Sequence, residues 1–254
     1  MAESRRGRAL FAALALMTIL PVPNTSDEDE RNAVTYLPAV GVILALILAV
    51  VAAIAGALLP PLAAAAVLLI TWCVLTGALH LDGLADTADA WMASHQHGRD
   101  RVLDIFREPL CGSAAVVALI GVLIAKFAVL ATLMSGEFHN LIAALLFSLV
   151  LSRTAAVFYA ATTPYARPSG LGLWARSHGS RGFIAGLALL CAMPALLIAG
   201  SGHFVFSALL AVCLVTGLTF FWRRVWLKKI GGYTGDTLGA LIELIEVLCL
   251  LCLL

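Results

Sequence analysis

Charge is what this chain has least of. Asp, Glu, Lys and Arg make up 12% of its 254 residues, about half the share carried by an ordinary soluble domain. With 62% hydrophobic residues and a mean hydropathy of +1.01, no stretch is polar enough to form a soluble domain of its own. The common fingerprints of nucleotide and nucleophile chemistry are missing too: there is no P-loop, no Rossmann glycine pattern, and no Ser or Cys in a recognisably activated setting. No internal repeat is visible, which argues against repeat-built transporters. Six cysteines (Cys73, Cys111, Cys191, Cys213, Cys249, Cys252) are scattered through apolar stretches. They read as small buried hydrophobes, the Cys249/Cys252 pair included, rather than as a redox or metal site.

What is there is apolar sequence in long runs. Tyr36–Leu59, Leu62–Leu79, Gly112–Met134, Leu141–Ala161, Gly182–Ala199, Phe204–Trp222 and Thr237–Leu254 each approach the ~20 residues that cross a bilayer as a helix. The expected fold is an all-α, polytopic membrane bundle of about seven transmembrane helices, forming one integral membrane domain over residues 1–254. Ala9–Leu20 is too short to span and is followed at once by Pro21 and Pro23. It imitates a signal peptide without a convincing cleavage site, and is expected as an interfacial or re-entrant helix.

The few charges are not spread evenly. Pro60–Pro61, Ser135–Asn140 and Gly200–His203 are short and carry almost none, whereas the N-terminal segment and residues 80–109, 162–181 and 223–236 carry nearly all. Arginines and lysines crowd the same side, which the positive-inside rule places in the cytoplasm. Any chemistry is therefore expected in those loops, on the cytoplasmic face of the membrane.

Within the first of these loops, "GALHLDGLADTADAW" sets Asp82, Asp86 and Asp89 at i, i+4, i+7. On a helix that spacing places all three on one face. Like charges so arranged repel and Asp is a weak helix former, so the pattern favours a helix only if a cation holds it. A hard ion such as Mg²⁺ takes a few carboxylates together with water and phosphate oxygens; a solvated acidic connector is the plainer alternative. His95 and His97 read as loop residues. Lys126, Arg153, Glu243 and Glu246 lie inside apolar runs, where charge is costly and marks function or mutual pairing. Arg153, Glu243 and Glu246 are expected to line a cavity open to the cytoplasm, with Lys126 deeper, as a partner of Glu243 or a substrate contact. Arginines in Gly- and Pro-rich loops suit phosphate, or anionic lipid. Thr234 and Asp236 equally suit a cap on the last helix.

"ILPVP", "LHLDGLADTADAW", "LSR" at 151–153, "YARPSGLG" at 165–172 and "GGYTGDTLGALIELIEVL" at 231–248 together resemble the adenosylcobinamide-GDP ribazoletransferases, also called cobalamin (5′-phosphate) synthases, over nearly the full length and in order. The resemblance implies a membrane-bound, Mg²⁺-dependent transferase of cobalamin (vitamin B12) biosynthesis. It would join α-ribazole or its 5′-phosphate to adenosylcobinamide-GDP and release GMP. It further implies His80, Asp82 and Asp89 as catalytic, with Asp82, Asp86 and Asp89 as metal ligands. Asp104, Arg107, Glu108, Lys126, Arg153, Arg167, Tyr233, Asp236 and Glu243 are implied as substrate-binding. Pro109 and Leu110 depart from the family's more polar pattern. The base is expected to be Asp89 or His80.

Two rival readings are weaker. A CDP-alcohol phosphotransferase needs an arginine where Asp86 stands, and a cation-coupled transporter would show symmetric interruptions at mid-membrane. Partners are the two substrates and membrane lipid, without nucleic acid. The glycines of Gly182-Phe-Ile-Ala-Gly186 allow close helix packing and hence a possible homo-oligomer.

Overall fold

A computed structural model describes residues 2–106, 108, 110–167, 175–197 and 202–254. Among these the secondary structure is helical throughout, apart from a single β-bridge between Tyr165 and Tyr233. The helices are α1 (Ala2–Met17), α2 (Asp27–Asn32), α3 (Leu37–Leu58), α4 (Pro61–Leu75), α5 (Leu79–Ala93), α6 (Arg99–Ile105), α7 (Ser113–Ser135), α8 (Phe138–Thr162), α9 (Ala175–Leu197), α10 (Gly202–Ile230) and α11 (Gly235–Cys252). A 3₁₀ turn, Ala33–Tyr36, joins α2 to α3.

Residues 27–58, α7, α8 and residues 205–230 are long and apolar enough to cross a membrane. The α4–α5 pair makes a fifth span if counted as one broken element. The chain is thus the expected polytopic helical bundle, with four or five such spans among the described residues where about seven were expected, because α11 carries three acids and the α4–α5 run is broken by a bend. Helix α8 is its axis: Tyr159, Arg153 and Leu145 are fully buried, and α3, α9 and α11 pack around it. Helix α11 also lies along α5, and α5 lies against α7.

Local chemistry explains the element ends. Pro61 opens α4 at a position where its missing N–H costs nothing. Ser26 and Asp29 form a reciprocal capping box on α2, and Thr234 and Thr237 form another on α11. The charged connectors are shorter than the sequence suggested. Lys and Arg are good helix formers, so α10 runs on through Arg223, Arg224, Lys228 and Lys229 and stops only at Gly231, whose φ is +76°. Residues 80–109 likewise hold two helices, α5 and α6, rather than a loop.

Between α4 and α5 the chain bends by 83°. Gly77 and Ala78 both take left-handed conformations, with φ of 58° and 54°. For Ala78 this is a strained choice, costing about 1–2 kcal/mol. Leu79–Ala93 is therefore turned sharply out of the line of α4. Helix α1 packs against the 3₁₀ turn and α3, with Ala13 and Met17 buried and Phe11 and Leu16 exposed.

The GxxxG of α9 is used inside the chain. A side chain at Gly182 would strike the Val34 carbonyl, and one at Gly186 would strike Thr154. The motif therefore offers no surface for a second copy. Nor are all the cysteines buried: Cys111 and Cys213 are exposed, and Cys191 lies in a part of α9 whose side chains are outside the described set.

Candidate active site

Two polar clusters emerge, one at an end of the bundle and one within it. The first is built on the crossing of α5 and α11. A Cβ at Gly83 would stand 2.8 Å from the carbonyl oxygen of Asp236 and 3.0 Å from its Cα, and a Cβ at Gly239 would stand 3.2 Å from His80 Cα. Only glycine permits these backbones to come so close. The result is that Asp236, at the start of α11, is pressed against the turn of α5 that carries Asp82 and Asp86.

Asp82 is exposed and Asp86 half-buried, and neither makes a hydrogen bond or ion pair among the described residues. Asp86 feels three like charges, Asp236 most strongly, then Asp82 and Asp89. Arg167 enters from the segment after α8, donating to Asp236 Oδ2 at 2.9 Å and to the carbonyl of Phe106 at 3.5 Å. Its Nε is buried without a partner. Burial pushes the Asp236 carboxyl above its ordinary value, while the Arg167 guanidinium pulls it back down. The bridge at Tyr165 and Tyr233, with Tyr233 N–H to Pro164 O at 2.9 Å and Ala166 N–H to Tyr233 O at 2.8 Å, holds the Arg167 segment against the start of α11. Tyr233 itself is buried between the rings of Tyr159 and Tyr165, so its side chain braces this junction.

Asp89 does something the sequence did not suggest. Its Oδ2 accepts the Gly112 N–H at 2.6 Å and its Oδ1 accepts the Ala115 N–H at 3.1 Å. It caps α7 from 23 residues away in sequence, and no local pattern announces that. His80 also stands apart from the exposed acids. It is buried, its Nε2 is 3.1 Å from Met17 Sδ, and its Nδ1 has no partner.

The second cluster joins α7, α8 and α11. Lys126 Nζ reaches Glu243 at 2.7 Å and Glu246 at 2.5 Å, and Arg153 pairs with Glu246 and Ser152. All four charged residues are at most 3% exposed, and Lys126 also lies 4.5 Å over the Trp72 ring. Two cations meet two anions, so the set is neutral as a whole. Buried charge is tolerable only when paired in this way. The expected pairing of Lys126 with Glu243 is present, whereas the expected open cavity is not: Arg153, Glu243 and Glu246 close on one another.

Among the remaining expected residues, Asp104 is exposed on α6, and Glu108 accepts from Arg101 at 2.5 Å on the surface. Arg107 and Trp174 lie outside the described residues. Trp91 and Trp222 pack edge-on against the buried Trp226, which also meets Phe106. This aromatic cluster supports the connectors from inside. Arg99 against Gly231, Lys229 over Trp91 and Arg223 on the Thr162 carbonyl tie the same three charged segments together at one end of the bundle.

Among the described residues no three His, Cys, Asp or Glu side chains converge closely enough to hold a metal ion as they stand. The chemistry of the donor set nevertheless fits a hard divalent cation: unpartnered carboxylates on Asp82 and Asp86, with Asp236 packed against the intervening Gly83.

Comparison with known proteins agrees with the motifs. Residues 9–254 match the family described as Cobalamin-5-phosphate synthase. The chain is 41% identical over 254 residues to the adenosylcobinamide-GDP ribazoletransferase of Pseudomonas paraeruginosa (strain DSM 24068 / PA7), covering 97% of each chain. It is 38% identical over 246 residues to that of Pseudomonas fluorescens, covering 95% of this chain and 96% of the relative. It is also 38% identical over 242 residues to that of Stutzerimonas stutzeri, covering 93% and 94%. No solved structure matches.

Proposed function

The chain belongs to the cobalamin-5-phosphate synthase family, the adenosylcobinamide-GDP ribazoletransferases of cobalamin biosynthesis, and from that premise we propose that its reaction takes place at the α5–α11 crossing. The observation that carries this reading is Asp236, held by Arg167 and packed against the turn bearing Asp82 and Asp86. The substrates are adenosylcobinamide-GDP and α-ribazole or its 5′-phosphate. A ribose hydroxyl of the ribazole attacks the β-phosphorus of the diphosphate, the new P–O bond forms as the bond to GMP breaks, and GMP leaves with the bridging oxygen.

Asp82 and Asp86 would hold Mg²⁺, which when bound neutralises charge on the diphosphate and the departing phosphate. Arg167 orients a phosphoryl oxygen through its guanidinium, part of which is committed to Asp236 and part unpartnered. The proton of the attacking hydroxyl passes to a carboxylate of the acidic face, which must come within hydrogen-bond reach of it. Asp104 and Glu108, at and just after the end of α6, would supply contacts to the nucleotide end, and Arg107, which lies outside the described residues, belongs with them by the family resemblance. Lys126, Arg153 and Glu243 act from within the bundle, holding α11 in register with α7 and α8. The crowding of Arg and Lys at this end supports a cytoplasmic orientation for it by the positive-inside rule.

Purified protein in detergent, supplied with Mg²⁺, adenosylcobinamide-GDP and α-ribazole 5′-phosphate, should release GMP in proportion to enzyme. Release of CMP from a CDP-alcohol, or solute counterflow without bond cleavage, would instead support the rival readings.

A further inference from the structure

We infer that Ile19 is a positioning residue for the reaction: the end of α1 wedges into the break between α4 and α5 and so fixes the direction in which α5 runs to meet α11. That role rests on the α5–α11 crossing being the reaction centre.

Hydrogen bonding at the break leaves one carbonyl over. Helix α4 ends in a Schellman pattern, with Ala78 N–H on Cys73 O at 2.9 Å and Gly77 N–H on Val74 O at 2.9 Å. Thr76 N–H takes Trp72 O at 3.1 Å. Leu79 N–H, which an unbroken helix would give to Leu75, goes to Thr76 O at 3.2 Å instead. The Leu75 carbonyl, freed in this way, accepts Ile19 N–H at 2.9 Å. Inside a broken span such a group needs a protein donor, because lipid offers none.

The neighbours of Ile19 make its N–H available. Thr18 is buried, and its hydroxyl donates to Leu14 O at 2.7 Å while accepting Leu20 N–H at 3.2 Å. That turn ends α1 and points the next amide away from it. Ile19 Cγ2 fills the place of the missing Gly77 side chain, 2.5 Å from where a Cβ would stand. Two residues earlier, Met17 Sδ lies 3.1 Å from His80 Nε2. A thioether only accepts, so His80 donates to it, and the backbone of His80 lies against Gly239 of α11. The first turn of α5 is therefore gripped between the end of α1 and α11. The left-handed conformation of Ala78, with φ of 54°, is strained, and such strain persists only where the surroundings over-determine it. The wedge is part of those surroundings, and Ile19 acts through α5 rather than on substrate.

The test compares the full chain with Gly77→Ala, Ile19→Ala and the double variant in detergent, by GMP release per folded enzyme and by hydrogen exchange of residues 79–93. Gly77→Ala drives a methyl group into Ile19 Cγ2, which sits on a stiff β-branched carbon. Its kcat should fall at least ten-fold. KM for both substrates should stay within three-fold, because Arg167 is anchored by Asp236 and Phe106 and not by α1. Exchange over residues 79–93 should quicken at least ten-fold while residues 138–162 keep the wild-type rate. The double variant removes the clashing methyl and should regain at least three-fold in kcat over Gly77→Ala, whereas two independent losses would make it slower still. A double variant no faster than Gly77→Ala, a Gly77→Ala kcat within two-fold of wild type, or a KM that rises as far as kcat falls, each overturns the assignment. Should Gly77→Ala not fold, Ile19→Ala decides alone, at a side chain that is 58% exposed. It should lower kcat at least three-fold and quicken exchange over residues 79–93, with Leu16→Ala, also exposed on α1, changing neither; wild-type behaviour in Ile19→Ala sinks the wedge. Were the wild type to release no GMP, the catalytic reading would fall by itself and exchange would decide the wedge. Residues 79–93 quickened by Gly77→Ala and slowed again in the double variant would keep it, and unchanged exchange would remove it.

Discussion

Adding one methyl group at Gly83 should separate the two helices on which the site depends. The new Cβ would meet three backbone atoms of Asp236, at 2.8, 3.0 and 3.3 Å. None of them belongs to a flexible side chain that could swing aside. Ordinary carbon contacts lie near 3.5–4.0 Å, so α5 and α11 must part by roughly half to one ångström at this point. Overpacking of this kind costs about 1–3 kcal/mol in stability. The larger effect is expected on rate, because misplacing reacting groups by about 1 Å costs on the order of 100-fold. Gly121, in the middle of α7, is the matched control: nothing lies within 4 Å of its missing Cβ. Gly121→Ala should keep turnover and raise stability by roughly 0.5–1 kcal/mol through helix propensity. The assay is GMP release at saturating substrates, with thermal melting in the same detergent. If Gly83→Ala turned over within two-fold of wild type while Gly121→Ala behaved as stated, the close crossing of α5 and α11 would have no catalytic meaning.

Asp82→Asn keeps the shape of an exposed side chain and removes its charge; GMP release should fall at least 100-fold with an unchanged melting temperature, and wild-type turnover at limiting Mg²⁺ would refute its role. Lys126→Met strips a shared partner from Glu243 and Glu246 and should cost about 3–5 kcal/mol; adding Glu243→Gln should recover part of that, and a double variant less stable than Lys126→Met would count against the neutral pairing. The pH profile has a defined sign. Asp236 acts as an anion, its carboxyl is raised by burial and lowered by Arg167, so kcat/KM at limiting Mg²⁺ should fall on the acid side above the ordinary Asp value of about 3.9. Arg167→Gln removes the lowering charge and should move that limb to higher pH; a limb that moved to lower pH would contradict the pairing.

Much of this architecture could be read from residue order, because burying apolar runs in lipid leaves few alternatives. Spans α3, α7 and α8 fall close to the expected boundaries, the Thr234 cap follows from a local rule, and the pairing of Lys126 with Glu243 follows from the cost of leaving either charge alone in an apolar run. What the sequence could not convey is partnership across distance where no buried charge demanded it. Asp89 looked like the third member of a periodic acidic face, and its true partners are amides 23 and 26 residues further on. Asp236 looked like a helix cap, yet Gly83 draws it to the acids of another helix. Glycines within apolar sequence were the available signal. They mark where backbones touch, though not which backbones, and for that reason Gly182 and Gly186 suggested a second chain when their neighbours were Val34, Thr35 and Thr154.

The neutral set of Lys126, Arg153, Glu243 and Glu246 has a bearing on how the protein is made. An ionised side chain at mid-helix resists partition into the bilayer by about 2.5–3.5 kcal/mol. Helices α7 and α8, with hydropathies of 2.6 and 2.1, are greasy enough to carry one cation each. Synthesis runs from the N-terminus, so both cations are in place before α11 leaves the ribosome. Its two glutamates then enter beside waiting counter-ions, and a chain cut short before α11 would display two stranded cations to the membrane's quality-control proteases.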